Sequence, residues 1–112
     1  MAKQQYSSVI TADGDYLIGR VHRRASINEF MALVYASGGF GSGTVAFRFS
    51  PDGGTTLIPL KDEGGTAASA TAAASFVIRM GNGDLLSDEP LIYATVTGST
   101  AATITVGMFD NT

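Results

Sequence analysis

The one histidine of this chain, His22, sits in Arg20-Val21-His22-Arg23-Arg24, beside three of its seven Lys and Arg residues. In an extended segment Arg20, His22 and Arg24 project to one face and Arg23 to the other. A hydrolytic triad would need His22 next to a serine and a carboxylate such as Asp13 or Asp15. No Gly-x-Ser-x-Gly elbow marks that serine, and a solvated surface histidine accounts for His22 equally well. The arginines have two readings: a solvated strand face, or a dock for an acidic protein surface, since guanidinium forks pair with carboxylates. No aromatic interleaves them, so they lack the stacking platform of a nucleic-acid groove.

The carboxylates Asp13, Asp15, Asp62, Glu63, Asp84, Asp88 and Glu89 fall among turn residues, where short acidic side chains bond their own backbone. Asp13-Gly14-Asp15 offers oxygens to calcium but lacks the rest of an EF-hand loop, so a bound calcium stays open. There is no tryptophan to form a sugar platform. Gly38-Gly39 and Gly81-Asn82-Gly83 are not followed by Gly-Lys-Ser/Thr, so they read as turns rather than phosphate cradles. No set of residues takes the roles of nucleophile, base and stabiliser. The expectation is a protein that is not an enzyme, with no cofactor and no committed metal site.

At 112 residues the chain reads as one domain, with a core that needs no disulfide; it has no cysteine. Charged residues are only 15% and glycines number 14, so Thr, Ser and Gly must supply much of the polar surface, with partners covering some of the rest. A formal net charge of −3 argues against nonspecific nucleic-acid binding. No apolar run approaches the roughly 20 residues of a membrane-spanning helix. Met1-Ala2-Lys3-Gln4-Gln5-Tyr6 has no hydrophobic core behind its lysine and is not read as a signal peptide. The expected partners therefore include neither nucleic acid nor membrane.

Positioning falls to strands, about seven or eight of them. Tyr6 to Thr11 turns at Asp13-Gly14 into Tyr16 to His22. Phe30 to Ala36 is a dense apolar run expected to be buried on both faces. Ser37 to Gly43 reads as a mobile glycine-rich connection exposing Phe40. Thr44 to Leu60 is a hairpin: Val45, Phe47 and Phe49 share one side, and Ser50-Pro51-Asp52-Gly53-Gly54 turns the chain toward Leu57, Ile58 and Leu60. Pro59 suits an edge. Ser75 to Met80, Leu91 to Thr97 and the final segment alternate again, the last with Ile104, Val106 and Met108 inward. Ser26 and Glu29 match a capping box that could start one helical turn. Thr66 to Ser75, nearly all Ala, Ser and Thr, is read as an extended loop or edge strand, its small side chains leaving room for another backbone. The fold class is all-β: a single-domain β-sandwich over 1–112, jelly-roll-like favoured over immunoglobulin-like, with 1–5 as an extended N-terminal arm.

Two stretches carry a family likeness. Phe47-Arg48-Phe49-Ser50-Pro51-Asp52-Gly53-Gly54-Thr55-Thr56-Leu57-Ile58-Pro59-Leu60 is similar to the "strand, S-x-DGG-T, strand" hairpin of small β-sandwich virion proteins of tailed bacteriophages. Leu91 through Val106 resembles the closing hairpin of that group; the two cover about a quarter of the chain. Similar hairpins occur in tail proteins and bacterial adhesive modules, and Leu57 stands where an aromatic is commonest. The resemblance implies a head decoration or cement protein: a homo-oligomer, trimer or dimer, bound across major capsid protein subunits on the capsid surface of the virion after assembly in the host cytoplasm. Tyr6, Arg20, Arg23, Arg24 and Phe40 are the candidate contacts. The alternatives are a glycan- or protein-binding module of a tail fibre or adhesin, with Phe40, Tyr35 or Tyr93 as its surface, and a tail or head-completion subunit.

Overall fold

A computed structural model of the chain describes residues 3–20, 29–62, 64–81 and 91–110. These form nine strands: β1 (Lys3–Ile10), β2 (Gly14–Arg20), β3 (Glu29–Gly39), β4 (Thr44–Ser50), β5 (Ile58–Pro59), β6 (Ser69–Ala70), β7 (Ala74–Gly81), β8 (Leu91–Thr97) and β9 (Thr103–Asp110). They build two antiparallel sheets packed as a β-sandwich. One has the order β1-β9-β3-β7; the other runs β2-β8-β4-β5, with β6 also paired to β4.

The pairings have a simple logic. β1 pairs with β9, β2 with β8, β3 with β7, and β4 with β5 and β6. The chain is thus one long two-armed ribbon bent at residues 51–57. Rolling that ribbon adds the pairs β3 with β9 and β4 with β8. Rolling also turns one side of each strand toward the other sheet, which is why alternation predicts burial. Ile92, Ala94 and Val96 are buried, as are Ile104, Val106 and Met108, facing Ile18, Val34, Val45, Phe47 and Ile78 in a common core. Phe47 meets Phe76 edge-on, with centroids 6.1 Å apart.

Several expectations change. β3 is buried on one side only: Ala32, Val34 and Ala36 are inside, while Leu33 and Tyr35 are partly exposed. Residues 3–5 belong to β1 rather than to a free arm; Lys3 pairs with Asp110 and Gln4 with Phe109 before a bulge. The hairpin after β4 is real but short on its return arm, where Phe49 faces Ile58 and Arg48 faces Pro59. Pro59 sits on the edge strand, as its missing N–H requires. The segment after Thr66 is extended, with Ala67 bridged to Lys61 and β6 on the edge of β4. The helical turn proposed from Ala25 to Glu29 and the turn proposed from Gly81 to Asp84 lie outside the described residues except at Glu29, which begins β3, and Gly81, which ends β7.

Phe40 is the clearest reversal. β3 runs through the glycines to Gly39, and a tight turn follows, closed by the Gly43 N–H donating to the Phe40 carbonyl at 2.8 Å. The Thr100 N–H donates to the Gly41 carbonyl at 2.8 Å, pinning that turn against residues 98–102. Gly41 has φ of 56°, and a β-carbon there would overlap the Thr100 carbonyl. So anchored, the turn folds Phe40 into the core, where it is only 7% exposed.

Candidate interaction face

The carboxylates fasten loops. Asp13, between β1 and β2, accepts from the backbone N–H groups of Gly98 (3.0 Å) and Ser99 (2.9 Å) and from the Ser99 hydroxyl. The Ser99 hydroxyl first, then the two N–H groups, hold its pKa below the ordinary aspartate value. Asp52 accepts from the Thr56 N–H at 2.8 Å and the Ser50 hydroxyl at 2.8 Å. Bonds from Thr56 and then Ser50 pull its pKa down to about 2. Asp62 accepts from the N–H groups of Gly64 and Thr66. Asp15 accepts from the Thr95 hydroxyl at 2.7 Å, across the β2–β8 pair. Each of these four carboxylates serves a separate local bond set, so no two of the four are poised as an acid and base pair. Among the described residues no group of three or more His, Cys, Asp or Glu is arranged to hold a metal. Among them, too, no helix is long and apolar enough to cross a membrane.

The candidate contact residues of the sequence do not converge. Arg20 is exposed at the end of β2, opposite Leu91. The backbone of Tyr6 pairs with Met108 in β1. Arg23 and Arg24 lie outside the described residues, as does His22. Phe40 is core, which removes it as an exposed contact. Of the remaining aromatics, Tyr35 is on the four-stranded sheet and Tyr93 on the other. Tyr35, Phe40 and Tyr93 therefore do not form one binding surface.

What the fold does assemble is the outer face of the β1-β9-β3-β7 sheet. Register places Val77, Leu33 and Phe109 in one cross-strand row. The next row holds Ser75, Tyr35, Gly107 and Ser7, and a third holds Ser37, Thr105 and Val9. Tyr35 lies over Gly107, where a β-carbon would overlap its ring. Its ring reaches Phe109 at 5.9 Å between centroids, and its hydroxyl is 3.5 Å from that of Ser7. Val9 is 54% and Val77 36% exposed, and Leu33, Tyr35 and Phe109 are half-buried between them. None of these outward residues carries a charge. A groove of about 240 Å³ lined by Asp62, Gly64, Ser75, Phe76 and Val77 marks the rim at β7.

The opposite face of the sandwich is built otherwise. Asp15, Arg20 and Arg48 stand on it, Arg48 directly across from Tyr93. The 51–57 loop folds back over it, bringing Gly54 against the Tyr93 hydroxyl. The Ser50 hydroxyl, fully buried beneath, accepts from the Gly54 N–H at 2.7 Å. One face carries charged residues and is roofed by its own loop; the outward side chains named above on the other face are uncharged. Sequence reasoning missed the row of Val77, Leu33 and Phe109, whose members lie in three separate segments. Only the register joins those segments. No protein-family model, curated protein or solved structure matches the chain.

Proposed function

We propose that this is a structural virion protein of a tailed bacteriophage, a capsid decoration or cement protein that binds across major capsid protein subunits at the head surface. The observation that carries the reading is the partly apolar outer row of Val77, Leu33 and Phe109 with the exposed Val9, a surface suited to being covered and not to chemistry. The hairpin likeness at 47–60 and 91–106 supplies the virion context. A jelly-roll subtype is supported by the strand order. Six of the eight steps between consecutive strands pass from one sheet to the other, whereas an immunoglobulin domain pairs several consecutive strands within a sheet.

The mechanism is mechanical. A protein that binds only the assembled shell stabilises it by mass action, and an oligomer on a symmetric lattice gains avidity. The basic cluster of Arg20, Arg23 and Arg24 is the proposed contact to acidic capsid surface; Phe40 is withdrawn from that role. The ligand-binding alternative loses support with the burial of Phe40 and the separation of Tyr35 from Tyr93. The test is co-sedimentation of the purified protein with heads of the virus that encodes it. Saturable binding at a fixed ratio to capsid subunits is expected, with a raised melting temperature of the heads. Absence of binding to intact heads overturns the reading.

A further inference from the structure

Arg48 on β4 and Tyr93 on β8 stand directly opposite each other on the outer face of the five-stranded sheet, which sets their β-carbons about 5 Å apart. Both residues are half-buried. Among the described residues, neither the Arg48 guanidinium nor the Tyr93 hydroxyl has a hydrogen bond or ion pair. Asp13, Asp15, Asp52 and Asp62 are each committed to other donors. We infer that Arg48 and Tyr93 form a receptor for one carboxylate presented by a partner protein. The guanidinium offers parallel N–H donors that match the two oxygens of a carboxylate, and the phenol adds an O–H. The inference rests on the capsid reading only for the identity of that partner, which would be an acidic side chain of the major capsid protein.

The fold holds both donors in place. Gly54, at φ of 105°, lies on the Tyr93 hydroxyl, and a β-carbon there would come within 2.6 Å of it. That part of the loop is itself tied down, by the Gly54 N–H on the Ser50 hydroxyl at 2.7 Å and the Thr56 N–H on Asp52 at 2.8 Å. The phenol is thus stopped against a fastened loop, which lowers the ordering cost of binding. Register extends the row to Leu17 beyond Tyr93 and to Pro59 beyond Arg48. Leu17 is 47% exposed and Pro59 is exposed. A polar centre with apolar ends, spread over four strands about 4.8 Å apart, is longer than a small anion. Its ends gain only when a larger surface covers them. Arginine and tyrosine are also among the residue types that dominate protein contacts.

The test pairs head binding with a probe that needs no heads. Co-sedimentation with heads is run on the full chain and on four variants, each checked by circular dichroism. Arg48→Gln should weaken binding about 10- to 100-fold in Kd, and Tyr93→Phe about 3- to 10-fold. Arg48→Lys should recover only part of the loss, because an ammonium lacks the planar fork. Lys61→Gln, which removes an exposed cation away from the row, should leave Kd unchanged. Separately, acetate should shift the nuclear magnetic resonance signals of the Arg48 side-chain N–H and the Tyr93 ring in the wild-type chain, and neutral acetamide should not. Absence of an acetate shift, an equal shift with acetamide, or a Lys61→Gln loss as large as that of Arg48→Gln overturns the inference. Heads that bind Arg48→Gln as tightly as the wild type also overturn it, while leaving the cement reading standing. A wild-type chain that ignores heads but responds to acetate alone upholds the receptor and removes the cement reading instead.

Discussion

Asp13 and Asp52 define how single residues govern this molecule. Both carboxylates bind protons less tightly in the folded chain than an ordinary aspartate, through hydrogen bonds that exist only when loops are closed. Their stabilising effect is therefore full above the unfolded value of about 3.9 and drains away as pH falls toward about 2 for Asp52. Urea midpoints should hold level from neutral pH to about 5 and drop below about 4, and Asp52→Asn should flatten part of that drop. Ala101 offers a change of the opposite sign. It sits at φ of 52°, in the left-handed region, which costs a residue with a β-carbon about 1–2 kcal/mol. Glycine there gives back about 0.4–1 kcal/mol through the looser unfolded chain. Ala101→Gly should therefore stabilise by roughly 0.5–1 kcal/mol in chemical denaturation.

Among elements, β4 has the most to lose. It touches β8 on one side and shares its other edge between β6 and β5. The Phe47 N–H donates to the Ala68 carbonyl and the Phe47 carbonyl accepts from the Leu60 N–H, both at 2.9 Å, closing the gap between those short strands. Its ring is 1% exposed and packs on Phe76. Phe47→Ala should cost about 3–5 kcal/mol, a large part of the 5–15 kcal/mol typical of a domain. Phe49→Ala, two residues along the same strand and only half-buried, should cost clearly less. Paired urea titrations followed by circular dichroism read both values. Equal losses would mean that β4 does not bury its two phenylalanines unequally.

At the scale of the molecule, the rolled ribbon makes the chain ends close the fold. β1 completes the sheet only by pairing with β9, at the far end of the sequence. Such pairings must be reached against loop-closure entropy before they return any stability. Refolding should accordingly fall in the millisecond-to-second range of sandwich domains rather than among microsecond helical folders, as stopped-flow dilution from urea would show. The asymmetry of the two outer faces belongs to this scale as well. It arises because the 51–57 loop has one sheet to fall back on, and it falls on the one that holds Tyr93.

The two-residue period of β4, β8 and β9 was legible in the sequence because inward and outward positions alternate wherever a strand has one buried side. The edge role of Pro59 and the extended path after Thr66 were legible for equally local reasons: a missing N–H, and residues that compete with helix. The one-sided burial of β3, the inward turn of Phe40 and the pairing of residues 3–5 were not. Each depends on which distant segment lies above or beside the strand, and an apolar run looks the same whether one face or two will be covered. The apolar row on the outer face of the four-stranded sheet belongs with these. Leu33, Val77 and Phe109 are scattered through the sequence, and only the antiparallel register of β7, β3 and β9 sets them side by side. Local alternation fixes which side of a strand is greasy; the long-range pairing of strands decides which greasy residues become neighbours and which are left at the surface.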